Sequence, residues 1–203
     1  MYINTIPGFI RQLLPSHLEW EVPVRDKKIF LTFDDGPIPE VTPWVLDTLK
    51  QFQALATFFC VGDNVRKHPD VFQELKQSGN LIGNHTYNHL KAWKTKRDAY
   101  LLNIARCNDL VNSHLFRPPH GQITPQLARV IGKEYRIVMW SILSRDFDPQ
   151  VSPYQCLKNS VEQSKPGTII VFHDSLKARK QLEYTLPRYL EHFSKQGYTF
   201  STL

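Results

Sequence analysis

Two adjacent acids, Asp34 and Asp35, sit in "LTFDDGP" (31–37), between an apolar run and a Gly-Pro turn. Like charges side by side repel, and Gly36-Pro37 already supplies a turn, so the pair invites a chemical explanation. His85 and His89 in "GNHTYNH" (83–89) have three residues between them. That spacing lets two imidazoles face one point, on a helix turn or in a tight loop. Two histidines and one carboxylate from another strand make a three-donor set that leaves coordination positions open for water and substrate. "HTYNH" lacks the glutamate of the H-E-x-x-H metalloprotease pattern, so a base must come from elsewhere. The paired acids offer one: one aspartate binds a divalent ion, its neighbour takes a proton, and the cation relieves their repulsion. Arg117 and His120 in "FRPPHG" (116–121), Asp146 in "SRDF" (144–147) and His173 in "IIVFHD" (169–174) are the other polar residues in comparable positions.

Those positions are set by the elements around them. Short apolar or β-branched runs recur at 29–33, 56–61, 81–83, 115–117, 135–140, 168–172 and 198–202. Between them lie stretches with helical spacing, at 42–52, 68–79, 95–114, 124–135, 152–164 and 184–197. Thr42-Pro43, Thr124-Pro125 and Ser152-Pro153 pair a capping residue with proline at a helix start, and Gly79 and Gly197 suit helix ends. The alternation predicts a mostly parallel α/β fold, either an open sheet or a barrel. Every candidate falls just beyond the carboxyl end of a predicted strand, and in parallel α/β folds those ends share the face on which sites are built. Singly, each has a plainer reading: a turn for the acids, an interior histidine for His173, a structural ion pair for Arg117. Together they point to an active site.

"TFDDGP", "HTYNH", "RPPHG" and "IIVFHD", in that order, resemble the polysaccharide deacetylases of carbohydrate esterase family four, which include chitin, chitooligosaccharide and peptidoglycan deacetylases. The resemblance implies a distorted (β/α) barrel of about seven parallel strands. It implies Asp34 as general base, Asp35, His85 and His89 as metal ligands, and Arg117 as the group orienting Asp34. It assigns the backbone N–H of His120 to an oxyanion hole and His173 to the general acid. The ion would be Zn²⁺, with Co²⁺, Ni²⁺ or Fe²⁺ suiting the same donors. The family usually has Tyr where this chain has His120. Its fourth motif, Asp followed by Trp after three residues, matches Leu143 and Phe147. His173 is thereby left without its charged partner unless Asp146 or Asp148 substitutes. Asp146 is otherwise read as a substrate contact, and Trp93 as a ring that stacks on a sugar. The expected reaction is removal of acetyl groups from an N-acetylated glycan. A catalytically silent metal- or glycan-binding relative and an O-acetyl polysaccharide esterase are the alternatives.

Composition frames these expectations. The 203 residues, 41% hydrophobic and 22% charged, suit one packed domain, read as 29–203 with residues 1–28 as a lead-in packed on it. A net charge of +6 is compatible with an anionic polymer, but the basic residues are scattered and accompany no nucleic-acid motif. No apolar stretch approaches the roughly 20 residues of a membrane span. The first 20 residues lack a secretory pattern, which favours the cytoplasm by default, although the family often works outside the cell. Cys60, Cys107 and Cys156 are too few and too widely spaced for a disulfide framework and are expected in the core.

Overall fold

In the computed structural model, which describes residues 18–203, "KIFLTFD" forms β2 (Lys28–Asp34), buried at every position but its first. Aromatic and β-branched residues suit a parallel strand covered on both faces. The other strands are β1 (Leu18–Glu19), β3 (Ala56–Cys60), β4 (Leu81–Asn84), β5 (Leu115–Phe116), β6 (Arg136–Val138), β7 (Ile142–Leu143) and β8 (Ile169–His173). They pair in the order β1-β6-β5-β4-β3-β2-β8-β7, every pairing parallel, while a short β9 (Thr199–Phe200) joins the start of β2 off that path. The sheet curls into a half-barrel, the α/β barrel-like fold expected from the sequence. Its path holds more than the expected seven strands because β1 and β7 are two residues each, too short to carry any periodicity.

Among the described residues, seven helices flank the sheet: α1 (Thr42–Gln51), α2 (Gly62–Lys67), α3 (Pro69–Gln77), α4 (Arg97–Val111), α5 (Pro125–Ile131), α6 (Pro153–Gln163) and α7 (Arg179–Lys195). Thr124 and Ser152 cap α5 and α6 as expected, accepting the backbone N–H of Leu127 at 3.2 Å and of Gln155 at 3.1 Å. Thr42 does not cap: it lies inside α1, and its hydroxyl is engaged elsewhere. Helix α7 begins at Arg179 rather than at 184, with Pro187 inside it. The buried face of Leu182, Leu186, Tyr189, Leu190 and Phe193 sustains the helix across that missing N–H.

Alternation along the strands decides what faces the barrel interior. Ile29, Leu31 and Phe33 of β2 pack outward with Val45 and Leu49 of α1 and with Leu182 and Leu186 of α7. Phe30 belongs to the opposite face, where it meets Phe59, Leu115, Val138 and Ile169. Counting by twos from Phe30, Leu115 and Ile169 along their strands reaches Asp34, Arg117 and His173, so all three project into the barrel at its carboxyl end. Residues 1–17 of the expected lead-in lie outside the described residues. Leu18 and Trp20, from its last part, are buried beside Ile137 and Met139. Cys60, Cys107 and Cys156 are buried and unpaired, as expected.

Candidate active site

β2 ends at Asp34, and the next residue departs from strand geometry. Asp35 has φ 83°, a left-handed conformation uncommon outside glycine and asparagine. The reversal interrupts the alternation, so both carboxylates face the mouth of the barrel from adjacent positions. The turn is fastened by Asn64, whose side-chain amide donates to the Asp35 carbonyl at 2.7 Å, and by the Val61 N–H, which donates to the Gly36 carbonyl at 3.0 Å. Thr86, His89 and His120 also have positive φ, at 63°, 54° and 58°. Non-glycine backbone strain of this kind costs roughly 1–3 kcal/mol per residue, so its concentration in the loops of one face requires support from the surrounding fold.

Asp35, His85 and His89 meet there, their donor atoms all within 4.8 Å of one another. Asp35 Oδ1 lies 3.2 Å from His89 Nε2 and 3.8 Å from His85 Nε2. His85 Nδ1 sits 2.8 Å from the Arg117 carbonyl, which can only accept, so the ring proton is on Nδ1 and Nε2 presents its lone pair to the cluster. Burial, reinforced by neighbouring His89, lowers the His85 pKa to about 4 and keeps the ring neutral, against the pull of Asp34. Asp35 is held below the ordinary carboxylate range: burial opposes ionisation, but His173, His85, His89 and His120 outweigh it. Asp35 Oδ1 is also buried without a hydrogen-bond partner among the described residues. An ionised oxygen left in that state is costly, and a cation at this point would satisfy it. The residues fit a divalent metal.

Beside the cluster, Asp34 is buried and bound by Arg117, whose Nη1 donates to Asp34 Oδ1 at 2.7 Å. Arg117 has no solvent exposure and makes three further bonds inside the barrel: Nη1 also to Thr32 Oγ1 at 2.7 Å, Nε to the Val138 carbonyl at 3.1 Å and Nη2 to the Met139 carbonyl at 2.8 Å. Its guanidinium lies over the Phe59 ring, 4.2 Å from the centroid. Asp34 Oδ2 stands 3.9 Å from His85 Nε2. One carboxylate oxygen is thus anchored, and the other faces the metal-fitting cluster.

His173 stands across from Asp34, the two being direct partners in the β2–β8 register. Both oxygens of Asp146 serve it: Oδ1 lies 2.7 Å from Nδ1, and Oδ2 accepts the backbone N–H at 2.7 Å. Burial disfavours the charged ring, but Asp146, by charge and by hydrogen bond, with Asp35 and Asp34 behind it, raises the His173 pKa to about 9. This corrects one expectation and decides another in favour of Asp146. Asp146 is fully buried and committed to His173, so it is no substrate contact. His173 does not lack a charged partner, because Leu143 belongs to β7, pairing with Val171, and the acid arrives three residues later. Asp148 pairs instead with Arg145, at 2.6 Å.

His120 is the second residue of a short 3₁₀ turn (Pro119–Gly121), a position whose N–H finds no acceptor within the turn. Its ring meets that of His89 edge-on, centroids 4.5 Å apart. Burial, then the charges of His89 and Lys91, bring its pKa to about 4. Trp93 lies on the 3₁₀ turn Ala92–Lys94, 67% exposed, with no hydrogen bond or ring contact to the cluster. Sequence reasoning missed Thr32, Asn64, Thr42 and Asp174, which support these groups from behind. The only signal for Asp174 was its place beside His173. A cavity of about 730 Å³ is lined by Leu46, Leu49, Ala54, Leu55 and Asn80. It lies at the amino ends of β3 and β4, opposite the polar cluster.

A parallel half-barrel with paired acids, two histidines and a carboxylate-backed histidine at its carboxyl end has the parts of a hydrolase. Comparison with known proteins makes the class specific. The polysaccharide deacetylase family matches residues 21–137, more than half of the chain. A peptidoglycan-N-acetylglucosamine deacetylase of Bacillus cereus is 36% identical over 95% of this chain and 94% of its own length. A chitooligosaccharide deacetylase of Azorhizobium caulinodans is 34% identical over 74% of this chain and 75% of its own. The crystal structure of the Bc1960 peptidoglycan N-acetylglucosamine deacetylase, in complex with 4-naphthalen-1-yl-N-oxidanyl-benzamide, superposes with a TM-score of 0.89 at 29% identity, covering 98% of this chain and 95% of the other. The chain belongs to the polysaccharide deacetylase family and is a hydrolase of linear amide bonds.

Proposed function

We propose that this chain is a divalent-metal-dependent N-deacetylase acting on the N-acetylglucosamine of peptidoglycan. The observation carrying the metal reading is Asp35 Oδ1, a buried oxygen without a hydrogen-bond partner among the described residues, facing two histidine nitrogens. The substrate reading rests on the Bacillus cereus relative, aligned over nearly the whole of both chains. Asp35, His85 and His89 would hold the ion, with Zn²⁺ suited to two imidazoles and one carboxylate. When bound, such an ion polarises an acetamide carbonyl and lowers the pKa of a water toward about 7.

The chain's own groups divide the proton transfers. Asp34, fixed through Oδ1 by Arg117, takes the proton of the attacking water on Oδ2. The backbone N–H of His120 would donate to the oxyanion as the carbonyl carbon becomes tetrahedral. His173, kept protonated by Asp146 up to a pH of about 9, gives its proton to the departing nitrogen. The C–N bond breaks, and acetate and a free amino sugar leave. An amine is a far poorer leaving group than an alcohol, so a histidine held protonated favours the N-acetyl reading over an O-acetyl esterase. The same pair removes the main reason to expect a silent relative.

The test is acetate release from peptidoglycan and from chitooligosaccharide, by protein stripped with a chelator and then titrated with Zn²⁺. Release that needs the ion and is greater on peptidoglycan supports the reading. Chitooligosaccharide as the better substrate would overturn the glycan assignment, and release from stripped protein would overturn the metal.

A further inference from the structure

The residue after His173 has no place in the chemistry above, yet it is among the most enclosed acidic side chains of the barrel. Asp174 is 1% exposed. It extends the β2–β8 ladder one step past the strands, its N–H donating to the Asp34 carbonyl at 3.2 Å. Its carboxylate then reaches back under the turn that carries the paired acids. Oδ1 accepts the Gly36 N–H at 3.0 Å, and Oδ2 accepts the Thr42 hydroxyl at 2.6 Å. Thr42 Oγ1 in turn accepts the Ile38 N–H at 2.8 Å. One carboxylate therefore secures the turn at Gly36 and, through Thr42, at Ile38 and the first residue of α1.

Two further observations show how closely turn and carboxylate fit. A Cβ at Gly36 would come within 1.9 Å of Asp174 Oδ2, so the glycine is required by the carboxylate's position and not by its own φ, which is not left-handed. Thr42 follows Val41 in the place where the sequence signals a helix cap, but its hydroxyl bonds to Asp174 instead of to the helix. Departures from local sequence rules of this sort tend to mark functional supports. The turn needs one, because Asp35 holds φ 83° and must keep Oδ1 on His85 and His89.

We infer that Asp174 is a positioning residue for the metal site: through Gly36 and Thr42 it fixes the turn that aims Asp35, and it links that turn to the strand end bearing His173. The inference rests on the metal reading above. Groups behind metal ligands typically change metal affinity by about 10–100-fold when removed. Asp174→Ala deletes both acceptors. Asp174→Asn keeps an oxygen for Gly36 and an amide that the Thr42 hydroxyl can accept from.

The measurement is Zn²⁺ affinity of chelator-stripped protein by competition with a chromophoric chelator, with acetate-release kinetics on the same samples. Asp174→Ala should bind Zn²⁺ at least 10-fold more weakly than the parent and lose kcat with KM little changed. Asp174→Asn should recover most of the affinity. Thr42→Val should weaken binding several-fold, and Thr42→Ser should restore it. This threonine pair decides the matter if Asp174→Ala does not fold. Parent-like Zn²⁺ affinity in folded Asp174→Ala, or equal affinities in the two threonine variants, would overturn the positioning role while leaving the metal site intact. A parent protein that binds no Zn²⁺ would instead bring down the metal reading, and this inference with it.

Discussion

The two sides of the barrel mouth hold the groups proposed to transfer protons by opposite means. On the base side, an interior cation steadies an acid: Arg117 bonds to Asp34 and is itself locked by the Val138 and Met139 carbonyls and by Thr32. On the acid side, a buried carboxylate steadies a histidine: Asp146 gives both its oxygens to His173. Asp34 and His173 are direct neighbours in register on adjacent strands, so the different roles proposed for them come from their partners and not from their places in the sheet. Setting the environments of two nearby titratable groups against each other is how one site holds a base and an acid at the same pH.

The strongest way to break the contrast is to remove the base. Asp34→Asn keeps an oxygen for Arg117 but cannot take a proton, and acetate release should fall about 10²–10⁴-fold with the fold retained. Initial rates beside circular dichroism would check this. Removing Arg117 tests the support instead of the base. Arg117→Met leaves Asp34 buried and unpaired, and truncating one partner of a buried pair costs about 3–5 kcal/mol, so denaturant unfolding should show a large loss of stability.

The acid side is sharpened by pH. In the parent, His173 is protonated below about 9, so activity should decline on the alkaline side as pH rises through that value. Asp146→Asn removes the principal raising influence. The decline should then move down toward the ordinary histidine value of about 6.5, leaving the variant least impaired in acid. A pH–rate profile of parent and variant reads this directly; an unmoved alkaline limb would separate Asp146 from the acid step. The linkage has the same sign: a histidine whose folded pKa is raised stabilises the fold fully below about 6.5, and that contribution is lost as pH rises through about 9. The smallest effect belongs outside the contrast. Trp93→Ala, at an exposed position, should change stability by no more than about 0.5 kcal/mol and should raise KM for the glycan with kcat unchanged, if its ring stacks on a sugar.

Much of this mouth was legible in the sequence because parallel strands collect their carboxyl ends on one face. Asp34, Asp35, His85, His89, Arg117 and His173 could be gathered from strand ends alone, and the structure brings all six together. Alternation of side chains explains three of them, Asp34, Arg117 and His173, as the last inward-facing positions of their strands or the residue just beyond. What could not be read depends on register. Strand β7 is two residues long, so the fourth motif matched to Leu143, which is strand, while the acid that bonds His173 is Asp146 in the loop beyond. Thr42 carried a true capping signal at the start of a true helix, yet its hydroxyl belongs to Asp174, 132 residues away. Asp174 itself is the neighbour of Gly36 only because β2 and β8 are adjacent and parallel, a pairing that no local pattern encodes.

We propose that Asp35, His85 and His89 hold one catalytic cation. The most direct measurement is metal content and acetate release on the same chelator-stripped sample during stepwise addition of Zn²⁺. We expect activity to climb from background in proportion to bound metal and to level off at one ion per chain, with His89→Ala failing to reach that level. Full activity in stripped protein, or stoichiometric Zn²⁺ binding that survives loss of His89 unchanged, would contradict it.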